Sequence, residues 1–135
     1  MLKPGALTPT ERRLMESHTQ IGYEILRGSE AELLRLAATL AWRHHERVDG
    51  AGYPRALEGD EIPIEGHIAA VADVFDALTS TRPYRAALSV PESLDLMYAG
   101  RGTQFDAVVL DHFLDAFDEV LAIRTSTAPA TSLAA

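Results

Sequence analysis

A chain of 135 residues, 47% of them hydrophobic, is sized for one compact domain that buries its own core. It has no cysteine, which excludes a disulfide framework and a thiolate metal site and fits a reducing, cytoplasmic setting. A net charge of −8 excludes non-specific binding to a nucleic acid polymer, because an acidic surface repels phosphate.

The N-terminal stretch MLKPGALTPTERR has no apolar signal-like run, and no segment reaches the length of a membrane span. Thr8-Pro9-Thr10-Glu11 predicts a capping box with proline in the first turn. Leu14, His18, Ile21 and Ile25 follow at helical steps on one face. Ser29 with Glu32 predicts a second capping box. The helix behind it carries Leu33, Ala37, Leu40 and His44 on one stripe, and Leu34, Ala38, Ala41 and His45 on the next. From Gly50 to about Pro63, glycine and proline enforce a loop, with a minor β-hairpin over 57–64 as an option.

A third helix is predicted over about 65–80, with Ile68, Ala72, Phe75 and Thr79 facing inward; Pro83 then breaks the pattern. Ser89, Pro91 and Glu92 start a short fourth helix that Gly100 ends. A fifth runs from about Asp106 to Arg124 and carries Val109, Phe113, Ala116 and Val120. The tail, 125–135, is small and polar and is expected to be disordered. The fold class is all-α, a bundle of about five helices.

Within this pattern a few polar residues stand where apolar ones are expected. His18 lies in an apolar stripe, where a histidine is either a hydrogen-bonded core residue or a ligand. His44 and His45 continue two apolar stripes to a helix end, where both rings can reach one cavity, and neutral imidazole is a ligand for iron, manganese, zinc or nickel. Asp73, in the apolar run VADVFDALTS, must be paired, hydrogen-bonded or metal-bound. Asp76, one turn on, competes for that role or pairs with a nearby arginine. Three histidines and an aspartate on three helices look like part of a helix-bundle metal site. Arg82 and Arg85 flank Pro83-Tyr84; they are solvated charge or a two-pronged contact for phosphate. Asp49-Gly50 and Gly52-Tyr53-Pro54 form a turn, from which Tyr53 could cover the site, stack on a base or face a partner protein. His67 and His112 have no such setting and read as surface residues.

The segments HHERVDGAGYP and VADVFDALTSTRPYR, with KPGALTPTERRLMESHTQIGYEIL before them and FDAVV after, resemble the HD-GYP domain over about residues 2–124. That group belongs to the HD metal-dependent phosphohydrolases. The resemblance implies a helical bundle with two or three divalent metal ions, often iron or manganese. It implies hydrolysis of cyclic di-GMP to the linear dinucleotide pGpG and, in some members, to GMP. It assigns His18, His44, His45 and Asp73 as metal ligands, and Arg82 and Arg85 as contacts to substrate phosphate. Metal-bound water is then the nucleophile, and no side chain serves as one. Asp49, Gly50, Gly52, Tyr53 and Pro54 become the GYP loop, a proposed contact surface for GGDEF-domain proteins.

One departure accompanies the match. The adjacent His-Asp pair of the family lies ahead of the KPG segment, and this sequence contains no His-Asp dipeptide. The resemblance then implies a site short of two ligands, including the carboxylate that bridges metals, and a bundle without the helix that bears them. Impaired catalysis is the expectation, with a non-catalytic module that binds cyclic di-GMP or a GGDEF protein as the alternative. An apolar groove is expected where that helix would lie, as a face for a homodimer.

Overall fold

The computed structural model describes residues 5–82 and 85–127. Thr8 opens the first helix as its sequence requires: its hydroxyl accepts the Glu11 N–H at 3.3 Å, and the Glu11 carboxylate accepts the Thr8 N–H at 2.8 Å. That helix, α1, spans Pro9–Leu26. It is followed by α2, Glu32–Arg43, and α3, Ile64–Thr79, and then by α4, Val90–Ala99. Next come α5, Ala107–Asp115, and α6, Phe117–Thr127. The predicted box at the head of α4 also forms, between Ser89 and Glu92. The fold is all-α, and among the described residues only isolated bridge pairs stand in for strands.

The predicted box at Ser29 does not form. Ala31 is the N-cap of α2 and its methyl offers no hydrogen-bond acceptor, while the Ser29 hydroxyl accepts the Ala31 N–H at 3.2 Å inside the preceding turn. A serine that satisfies its own turn is unavailable to the helix behind it. No hairpin forms over 57–64. A short 3-10 turn, Gly59–Glu61, takes its place and is closed by Glu58 and Glu61.

Two close crossings set the first three helices. A Cβ on Gly22 would lie 3.1 Å from the Ala41 Cβ, so α1 and α2 meet across two small residues. One on Gly66 would lie 2.9 Å from the Arg43 Cβ, so the end of α2 rests on the first turn of α3. These contacts bring the C-terminus of α2 between the middle of α1 and the face of α3. The core lies on the other side of α3, in Val71, Phe75, Met97, Phe105 and Leu110. Phe113 and Phe117 set their rings edge-on to Phe75 at 5.4 and 5.5 Å. Each fully buried side chain of this kind contributes about 1.5–3 kcal/mol.

The predicted fifth helix is two. Ala116 is the C-cap of α5, with ψ 16°, and α6 starts at the next residue. Phe113 and Phe117, four residues apart on either side of Ala116, both meet the Phe75 ring. The helix α6 continues to Thr127, into the segment read as tail; 128–135 lie outside the described residues, as do Pro83 and Tyr84.

The inward face of α3 also differs. Phe75 and Thr79 are buried, but Ile68 is 54% exposed and Ala72 is exposed. Gly66 meets Arg43 of α2, and Val71 and Phe75 join the core with Met97 of α4 and Leu110 of α5, so the predicted stripe starts on the outer side. The stripe of α1 is exposed as well, at 69% for Leu14, 56% for Ile21 and 75% for Ile25. Among the described residues no helix is long and apolar enough to cross a membrane.

Candidate metal centre

Helix α2 stops where its two histidines begin. The His44 N–H still reaches the Leu40 carbonyl at 3.1 Å, and the chain then leaves the helix. Two adjacent residues on a continuing helix diverge by about 100°; here the His44 and His45 rings lie with centroids 4.1 Å apart. His18, from α1, brings a third ring to 5.3 Å from His44 and 5.1 Å from His45. The ligand atoms of the three imidazoles all lie within 4.8 Å of one another. Asp73, from α3, places Oδ2 at 3.9 Å from His45 Nδ1. All four residues that the sequence singled out as ligands thus meet.

The proton positions follow from the backbone. His18 Nδ1 lies 2.6 Å from the Met15 carbonyl and His44 Nδ1 2.8 Å from the Leu40 carbonyl. A carbonyl only accepts, so both Nδ1 atoms donate, and in the neutral ring each Nε2 is left with a bare lone pair. Those two Nε2 atoms face each other at 3.2 Å. Two lone pairs at that separation repel; a shared proton or a cation removes the repulsion. Burial, then the neighbouring His44, pushes the His45 pKa down to about 4, against a smaller pull from Asp73. His45 is therefore neutral at pH 7, the form in which imidazole binds a metal. The donor set fits a divalent cation of the imidazole-binding kind. His67, half-buried, and His112, exposed, take no part in the cluster.

The loop after His45 folds back over the site. Asp49 holds the Arg47 guanidinium with two bonds, at 2.9 and 2.5 Å, and accepts the Ala51 N–H at 3.1 Å. This pairing draws the Asp49 pKa down to about 2. Gly50 takes a positive φ of 72°. Gly52 packs on bare backbone: a Cβ there would stand 2.5 Å from the Arg47 nitrogen and 2.6 Å from the His45 oxygen. The chain then returns so that the Tyr53 N–H donates to the His45 carbonyl at 3.1 Å, and its ring lies 4.7 Å from the His45 ring. Of the three readings open for Tyr53, the structure supports packing over the site. Burial, with Glu16 and Asp73 nearby, pushes its hydroxyl up to about 12. Pro54 is exposed beyond it. Beside the imidazoles lies a cavity of about 310 Å³, walled by His44, His45, Tyr53, Arg12, Arg47 and Gln104 among others.

The arginines of the TRPYR segment are engaged elsewhere. Arg82 pairs with Asp76 at 3.5 Å, and Asp76 also accepts the Ser80 hydroxyl at 3.1 Å. Asp76 thus takes the pairing role and leaves Asp73 to the imidazoles. Arg85 donates to the Ala77 carbonyl at 2.5 Å, at the open C-terminal end of α3. Neither arginine lines the cavity beside the histidines.

The model of the HD domain family matches residues 1–109, most of the chain. The chain belongs to the HD domain family. Among its relatives is the cyclic di-GMP phosphodiesterase response regulator RpfG of Xanthomonas campestris, 50% identical over 84% of this chain and 30% of that protein. A cyclic di-GMP phosphodiesterase of Thermotoga maritima is 45% identical over 89% of this chain and 33% of its own length. The 3'3'-cGAMP-specific phosphodiesterase 2 of Vibrio cholerae is 41% identical over 92% of this chain and 24% of its own length. The chain spans a third or less of these relatives, and within the HD family it is a domain of HD-GYP type.

Glu46, Gln104 and Arg12, which line the cavity of this HD domain, went unassigned in the sequence. Glu46 is only 3% exposed, and its carboxylate accepts the N–H of Arg55 at 2.9 Å and of Leu57 at 3.0 Å. It ties the returning arm of the GYP loop to the end of α2. A buried glutamate must find such partners, but its position beside two histidines and an arginine gave no sign that it would be buried. Gln104 was passed over too, because only the turn before α5 brings it to the cavity.

Proposed function

We propose that this chain is a metal-dependent phosphodiesterase domain that hydrolyses a cyclic dinucleotide, cyclic di-GMP, to pGpG and GMP. The carrying observation is the opposed pair of Nε2 atoms of His18 and His44, 3.2 Å apart, with His45 and Asp73 beside them. The names of the relatives, all phosphodiesterases of cyclic dinucleotides, supply the substrate class.

A divalent cation, iron or manganese in this reading, supplies Lewis-acid chemistry that lowers the pKa of water and neutralises phosphoryl oxygens. His18, His44, His45 and Asp73 would hold it, with the Nδ1 atoms of His18 and His44 directed by the Met15 and Leu40 carbonyls. Tyr53 and the GYP loop shield the cluster from bulk water on one side, which strengthens charge interactions inside the cavity. Arg82, with its side chain 41% exposed in the pair with Asp76, keeps the freedom to turn to a phosphate; Arg85 is held by the Ala77 carbonyl. The GYP loop as a face for GGDEF-domain proteins belongs to the same proposal.

The test measures metal per protomer and follows hydrolysis of cyclic di-GMP, and of 3'3'-cGAMP in parallel, with added manganese or iron. Turnover that disappears in His45→Ala supports the enzyme. Binding of cyclic di-GMP with no turnover under any metal overturns it and leaves a binding module.

A further inference from the structure

The cavity beside the imidazoles has a charge problem. Glu16 and Asp73 lie close enough to act on Tyr53, and the chain as a whole carries −8. A cyclic dinucleotide adds two phosphodiester charges. Two arginines line the cavity, Arg12 and Arg47. Arg47 is spent: its Nε and one terminal nitrogen are both bonded to Asp49. Arg12 is held differently. Its Nε donates to Glu16 at 2.9 Å, and its two terminal nitrogens have no acceptor among the described residues. Its side chain is 69% exposed, so engagement costs little desolvation.

We propose that Arg12 is the side chain that receives a phosphodiester of the dinucleotide in this cavity, with Glu16 orienting its guanidinium. The proposal rests on the function proposed above. A guanidinium tied at Nε keeps the edge formed by its two terminal nitrogens, and that edge matches two phosphate oxygens in a planar fork. Glu16 sits one helical turn along α1 from Arg12, so the orienting pair is built into the helix. The two arginines of the TRPYR segment, bonded to Asp76 and Ala77, leave this wall of the cavity to Arg12.

The test is calorimetric titration of the full chain with cyclic di-GMP in the presence of manganese, for the natural protein, Arg12→Ala, Arg12→Lys and Arg13→Ala. Arg13 is the control: it is the adjacent residue, loses the same charge, reaches Thr10, and does not line the cavity. Loss of a charge-assisted bond predicts about tenfold weaker binding for Arg12→Ala. Arg12→Lys keeps the charge without the fork, and a loss of about threefold or more is expected. Arg13→Ala should stay within about twofold, as a distant screened charge would. Equal weakening by Arg12→Ala and Arg13→Ala, or none by either, overturns the assignment while leaving the function intact. No binding by the natural protein overturns the function and this assignment together. If Arg12→Ala has a lowered melting temperature, Arg12→Lys decides: binding equal to the natural protein rejects the fork.

Discussion

Glu46 and Leu57 are eleven residues apart, and the Glu46 carboxylate accepts the Leu57 N–H at 3.0 Å while its other oxygen takes the Arg55 N–H. One buried side chain thereby joins the helix end that bears the histidines to the loop that covers them. Replacement of Glu46 by alanine strands two backbone donors, each costing about 1–3 kcal/mol. Urea unfolding should show a loss of about 2–4 kcal/mol for Glu46→Ala. Glu46→Gln, which keeps one acceptor, should lose less; equal losses would show that the carboxylate is not the tie.

Gly52 offers a test of shape alone. Its Cβ would meet backbone atoms of His45, Glu46 and Arg47 at 2.5–2.6 Å, none of which can swing aside. Gly52→Ala should lose about 2 kcal/mol or more, as overpacking against rigid atoms does. Gly28 has open space around its would-be Cβ, so Gly28→Ala should change stability by less than about 1 kcal/mol in the same assay.

The Asp49–Arg47 pair makes a pH prediction. The folded pKa of Asp49, about 2, lies below its ordinary value of 3.8 because of the Arg47 bond. Below 3.8 the unfolded chain therefore binds a proton that the folded protein refuses, so the stability that this pair supplies is full above 3.8 and is lost as pH falls toward 2. Thermal melts of the natural protein and Asp49→Asn should differ most above pH 4 and converge as pH drops through that window. A constant gap would show that the charge is irrelevant.

Metal binding should itself be legible as stability. Manganese at about a hundred times its dissociation constant raises folding free energy by about 2.7 kcal/mol, so the melting temperature should rise on addition and return with a chelator. His18→Ala, His44→Ala and His45→Ala should each abolish the rise. Asp73→Asn, which alters the neighbour of His45 Nδ1, should weaken metal affinity by about 10–100-fold. A full response from His44→Ala would remove the imidazole cluster from consideration.

Much of this architecture was readable without coordinates where the deciding interaction is local. The capping boxes at Thr8 and Ser89 bond groups only three residues apart, so residue type and spacing suffice to place helix starts. Spacing alone failed at Ser29, whose hydroxyl had a nearer backbone partner. It failed again at Ala116, where α5 ends and α6 starts at the next residue although the apolar spacing runs on through both. The candidate ligand residues stood out because a polar group in an apolar pattern requires a reason.

Residue identity thus determined which groups can bind a cation and which helices bear them. The tertiary structure decided what identity cannot: that His18 and His44 turn Nε2 toward Nε2, that Glu46 is buried, and that Arg12 rather than Arg85 borders the cavity. The physical reason is one of range. A helix start is set by bonds between near neighbours along the chain, whereas a proton position, a burial cost or a free guanidinium depends on atoms that only the packing of α1, α2 and α3 brings within reach.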